Sequence, residues 1–92
     1  MIRDRVIELF DCLDLSSKEM EARTGIDRYK WGNIRGKKQK VNEDHLDALT
    51  KEFPQFAYWL MTGETMPEQG QISPKEELAR RTNALGHGEA SG

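Results

Sequence analysis

The stretch LSSKEMEARTGIDRYKWGNIRG, Leu15 to Gly36, decides the fold of this chain. Ser16-Ser17-Lys18-Glu19 has the spacing of a capping box, in which the Ser16 hydroxyl accepts from the Glu19 amide and the Glu19 carboxylate reaches back to the Ser16 amide. A helix is therefore predicted to start there. Thr24-Gly25 ends it after about two turns, since Gly25 is free to take the left-handed conformation. Asp27 is placed to cap a further helix, and its negative charge suits a helix N-terminus. That helix is expected over residues 28 to about 34 or 35, with Trp31 and Ile34 at i, i+3 turned inward. Gly32 weakens it by about 1 kcal/mol relative to Ala, and Gly36 is expected to end it. Two short helices about a glycine turn make a helix-turn-helix pattern, with Met20, Ile26, Trp31 and Ile34 apolar where the helices cross.

Working outward, Ile2, Val6, Leu9, Phe10 and Leu13 make one apolar face of a first amphipathic helix, about residues 2–13. After a basic loop over 37–41, Asn42 is an N-cap candidate with Glu43 and Asp44 in the first turn. Leu46, Leu49 and Phe53 share a face of that fourth helix. Pro54 stops it and can open a fifth helix over 54–61, ended by Gly63. Pro67, Gly70, Ser73 and Pro74 then mark a linker. Residues 74–85 can form a short extra helix, although its apolar face is thin: Leu78 and Leu85 with Ala79 and Ala84. The final residues, 86–92, have nothing to pack and are expected to be mobile. The expected organisation is an all-α, five-helix domain over residues 1–64, followed by a linker and tail over 65–92.

The charge pattern points to a polyanion. The chain as a whole is slightly acidic, with a net charge of -2. Yet Arg28, Lys30, Arg35, Lys37, Lys38 and Lys40 fall within 28–40 and no acid does. A concentrated basic stripe is the electrostatic footprint of nucleic-acid binding; a solvated surface loop is the plainer reading of the same run. An α-helix fits the major groove of double-stranded DNA with its N-terminal residues nearest the base edges. Arg28 can pair with guanine O6 and N7, Asn33 can pair with adenine or hold a phosphate, and Tyr29 can meet a thymine methyl. Ser17, Lys30, Arg35, Lys37, Lys38 and Lys40 suit phosphates, which add affinity but little sequence information. Tyr29 can alternatively cover the turn between the helices, and Asn33 can be a solvated helix residue.

Residues 15–63 resemble the Cro- and lambda-repressor-like helix-turn-helix family, also called the xenobiotic-response-element family. The resemblance rests on Leu15-Ser16-Ser17-Lys18-Glu19-Met20, on Thr24-Gly25-Ile26-Asp27 at the turn, and on Gly36-Lys37 after the third helix. It extends through Asn42 to Leu49 and the closing Trp59-Leu60-Met61-Thr62-Gly63-Glu64. It implies a five-helix domain of phage-repressor type, usually dimeric on operator DNA. The chain departs from the family at Glu21, where Ala is usual and where a carboxylate must tilt outward or find a partner. Thr24 stands where Leu is usual, and Ile34-Arg35-Gly36 is one residue shorter than common versions.

Six bulky residues between Phe53 and Met61 are more than one short helix is expected to bury, so Phe56, Tyr58, Trp59 and Met61 are candidates for a homodimer contact. The tail over 73–85 is the other candidate. The single cysteine, Cys12, excludes an intramolecular disulfide, fits a reducing, cytoplasmic setting and reads as a small structural residue. Met1-Ile-Arg-Asp-Arg-Val6 alternates charge and apolarity, unlike a secretory signal, and no run approaches the roughly 20 apolar residues of a membrane span. His45 and His87 have no partners at metal-ligand spacing, so no metal and no cofactor is expected. Neither a phosphate-binding G-x-x-x-x-G-K-[ST] loop nor a G-x-G-x-x-G fingerprint occurs, and no catalytic set is expected. The expected function is a sequence-specific, repressor-like transcriptional regulator. The alternative is a protein-interaction module, antitoxin-like or anti-regulatory, on a helix-turn-helix scaffold. Glu21, Gly32 and the acidic balance outside the stripe favour that alternative, whereas a pure protein binder has no need of the stripe.

Overall fold

The computed structural model describes residues 1–91, with side chains described for residues 1–82. Its helices are α1 (Ile2–Cys12), α2 (Ser17–Thr24), α3 (Arg28–Arg35), α4 (Glu43–Glu52), α5 (Ala57–Thr62) and α6 (Pro74–Ser91). The fold is all-α; among the described residues the only extended pairing is an isolated bridge between Met66 and Gln71.

Local chemistry sets the helix ends. At α2 the capping box forms as expected: Glu19 N donates to Ser16 Oγ at 3.1 Å, and Ser16 N donates to Glu19 Oε1 at 3.2 Å. Gly25 follows at φ +76°, with open space where a Cβ would stand, so backbone conformation is what calls for glycine. The start of α3 differs from expectation. Asp27 occupies the N-cap position, but its side chain makes no capping bond; Arg28 N donates instead to Glu21 Oε2 at 2.9 Å. The end of α3 is as expected, with Gly36 as its C-cap. Gly36 has an ordinary φ of -81°, and the left-handed residue is Lys37, at φ +61°. Asn42 caps α4 through a box closed by a histidine: His45 N donates to Asn42 Oδ1 and Asn42 N to His45 Nδ1, each at 3.0 Å. The single helix expected over 54–61 is divided into a 3-10 turn, Pro54–Phe56, and α5.

One indole organises the core. Trp31 is fully buried, and its ring meets Phe10 of α1 edge-on at 5.5 Å between centroids and His45 of α4 at 5.3 Å. Its Nε1 donates to Thr24 Oγ1 at 3.2 Å, at the end of α2. Thr24 Oγ1 also accepts from Ile26 N at 3.2 Å and donates to Met20 O at 2.6 Å. A leucine at position 24 would leave the indole N–H without this acceptor, which gives the threonine a physical reason. Val6, Leu9, Met20, Ile34, Leu49 and Leu60 complete the centre, all fully buried.

The packed region continues past residue 64. Ile72 belongs to the core cluster and Pro74 is buried. Gln71 ties the segment back, its Oε1 accepting from Tyr58 N at 3.0 Å and its Nε2 donating to Pro54 O at 3.0 Å. From there α6 lies against α1 and extends beyond the expected 74–85. The face expected from Ala84 and Leu85, His87, and the mobility expected of 86–92 all concern residues whose side chains lie outside those described.

Candidate nucleic-acid interface

Burial of Trp31 and Ile34 fixes the rotation of α3. With both fully buried, Arg28, Tyr29, Lys30, Gly32 and Asn33 are left on the solvent face. Tyr29 is 75% exposed, which sets aside the reading in which it covers the turn. Ser17, at the start of α2, lies beside this face: its Oγ is 3.7 Å from where a Cβ on Gly32 would stand. The loop after α3 carries Lys37, Lys38 and Lys40, all exposed. It is held by Lys38 N donating to Asn33 O at 2.8 Å and by Arg3 Nη1 donating to Lys37 O at 3.4 Å. The fold thus gathers Ser17, Arg28, Tyr29, Lys30, Asn33 and the three loop lysines around α3.

Arg35 is the member of the stripe that turns away. Its Nη1 donates to Leu15 O at 2.8 Å, its Nη2 pairs with Asp11 at 2.9 Å, and its guanidinium lies over the Phe10 ring. Three interactions with α1 and the following turn make it a clamp on the end of α3, with its side chain still partly exposed.

Arg28 is exposed but engaged. Its Nε and Nη2 both donate to Glu21 Oε1, at 2.9 and 2.7 Å. The guanidinium and the Arg28 amide hold the Glu21 carboxyl below its ordinary pKa, and the same carboxylate raises that of Arg28. The expectation that a carboxylate at position 21 must find a partner is met by the first residue of α3. Glu21 was not legible as a site residue; the available signal was an acid and a base seven apart across the glycine turn.

The candidates for a homodimer contact separate. Phe56 is fully buried and Trp59 is 6% exposed, because the 3-10 turn and α5 fold both rings into the core. Neither has surface to offer a second protomer. Tyr58 is half-buried and Met61 is 50% exposed, near Met1, Ile2 and Val41 at the rim of a shallow apolar cleft. Among the described residues there is no group of three or more side chains suited to a metal ion, and no helix is long and apolar enough to cross a membrane.

No protein-family model matches the chain, and no curated protein matches it. A solved structure does: that of Pf6r from the filamentous phage Pf6 of Pseudomonas aeruginosa PA01, with a TM-score of 0.71 and 31% sequence identity over 82% of this chain and 96% of that one. With that identity spread over most of both chains, this chain belongs to the same family as the phage protein Pf6r.

Proposed function

We propose that this protein is a sequence-specific double-stranded-DNA-binding regulator, repressor-like and of the Cro/lambda-repressor type, with α3 as its recognition helix. The observation that carries this is the division of α3 into two faces. Trp31 and Ile34 anchor it in the core, while Arg28, Tyr29, Lys30 and Asn33 stand in solvent beside an exposed lysine loop. A solvated helix framed by cations suits the major groove, where base edges and phosphates present complementary partners. Arg28, Tyr29 and Asn33 are the base readers. Ser17, Lys30, Lys37, Lys38 and Lys40 hold phosphates, and the backbone grip is salt-dependent because it releases counterions. Similarity to a protein of a filamentous phage supports a phage-related regulatory role. The reading is of a non-enzymatic, cytoplasmic protein that acts as a homodimer, with Tyr58 and Met61 rather than Phe56 and Trp59 at the contact. Two α3 helices then enter successive major grooves of a roughly palindromic site.

Selection of bound sequences from a random duplex library tests this. A palindromic consensus is expected, with one or more positions blurred by Arg28→Ala or Asn33→Ala. Weak binding with no enriched sequence would refute it in favour of the protein-interaction alternative.

A further inference from the structure

Arg28 reads a base only if its guanidinium is held at the right angle, and the structure contains a device for this. A guanidinium carries five N–H donors in a rigid plane: one on Nε and two on each terminal nitrogen. Glu21 Oε1 takes the Nε–H and one Nη2–H, along a single edge of that plane. Nη1 makes no hydrogen bond among the described residues, and Arg28 is solvent-exposed. The free edge, Nη1 with the second Nη2–H, has the fork geometry that pairs with guanine O6 and N7. The other carboxylate oxygen, Oε2, is fixed by the Arg28 amide. Glu21 is therefore anchored to the helix backbone at one oxygen and holds the side chain with the other. Its own α2 is set against α3 by the part-buried Trp31–Thr24 bond.

We propose that Glu21 is a positioning residue for DNA recognition, presenting the outer edge of Arg28 to a guanine and keeping the guanidinium from swinging to a phosphate. This rests on the DNA-binding function proposed above and names how one base is read. An unrestrained arginine beside DNA has phosphates on either side and pays rotamer entropy to reach a base. A carboxylate that occupies its inner edge removes part of that entropy before binding and disfavours the phosphate-directed rotamers. It also sets a negative charge near a polyanion, so a positioning role lowers overall affinity while raising discrimination.

The test is the random-duplex selection, followed by titration of the resulting site and of its single-base variants, with the full chain and with Glu21→Ala, Glu21→Gln, Arg28→Ala and the Glu21→Ala/Arg28→Ala pair. Circular dichroism establishes that each variant is folded, and Glu21→Gln serves if Glu21→Ala is not. The wild type is expected to prefer guanine at one position per half-site, and Arg28→Ala to abolish that preference. Glu21→Ala should reduce it about tenfold or more, at that position alone, while binding to unrelated DNA is unchanged or tighter. Glu21→Gln keeps one acceptor without the charge and should fall between. The double variant should discriminate no worse than Arg28→Ala. A wild-type consensus whose guanine preference survives Glu21→Ala overturns the positioning role alone. Loss spread equally over all positions also overturns it, showing Glu21 to be only a cap on α3. A wild type with no consensus overturns the DNA-binding function, and this inference with it.

Discussion

Thr24→Val isolates the bond that sets α2 against α3. Valine matches threonine in shape and β-branching, so backbone preference and packed volume change little and the hydroxyl alone is removed. Two donors then lose their acceptor: Trp31 Nε1, on a fully buried side chain, and the half-buried Ile26 amide. Leaving a buried donor unsatisfied costs about 1–3 kcal/mol, and the indole N–H bears most of that because the Ile26 amide lies nearer solvent. A total of about 2–4 kcal/mol is expected. A domain of this size has about 5–14 kcal/mol to lose, so the variant should remain folded with Tm lowered by about 10–20 °C. Thr24→Ser keeps the hydroxyl and gives up one partly exposed methyl, for which less than about 1 kcal/mol is expected. Urea unfolding of the three proteins, followed by circular dichroism, supplies the comparison. If Thr24→Val unfolds within about 0.5 kcal/mol of Thr24→Ser, the Trp31–Thr24 bond does not carry the weight assigned to it.

Lys37 holds a left-handed φ of +61° at the edge of the candidate interface. Lys37→Gly should raise stability by about 1 kcal/mol in thermal unfolding while lowering the slope of log affinity against log salt by about one unit on DNA. Gly32→Ala should stabilise by about 0.5–1 kcal/mol, because the added methyl meets only Ser17 Oγ at an ordinary 3.7 Å; a large destabilisation in the same assay would mean that α2 and α3 cannot part even slightly. His45 has its pKa lowered by burial and by the nearby Lys30, and its Nδ1 accepts from Asn42 N only while unprotonated. Folded His45 therefore resists the proton that the unfolded chain takes up. Stability from this site is present above the ordinary value of 6.5 and is lost as pH falls below it, with a slope of at most about 1.4 kcal/mol per pH unit. Urea midpoints from about pH 7.5 to 5 should fall in the native protein and lose that component in His45→Gln.

Local sequence alone fixed the helices whose ends are chemical signals within a few residues. Ser16 with Glu19, Gly25, Asn42 and Gly63 each act on backbone groups one to four positions away, so their effect is readable without knowing the rest of the chain. The inward spacing of Trp31 and Ile34 likewise determined which face of α3 carries Arg28, Tyr29, Lys30 and Asn33. What the tertiary structure decided were the choices among partners distant in sequence. Asp27 stands at the N-cap, yet Glu21, six residues earlier, reaches the α3 amide because the turn brings it there. Arg35 belongs to a run of cations by sequence, yet Asp11 and the Leu15 carbonyl, 24 and 20 residues away, draw it inward. Phe56 and Trp59 look like surplus apolar area on a short helix until the fold buries them in one core cluster that also takes in Ile72, from beyond the expected domain. Periodicity and capping act over one or two helical turns, whereas burial and ion pairing act across whatever the fold brings together. The helices and the exposed face of α3 were therefore legible in the sequence, and the cap, the clamp and the grip on Arg28 were not.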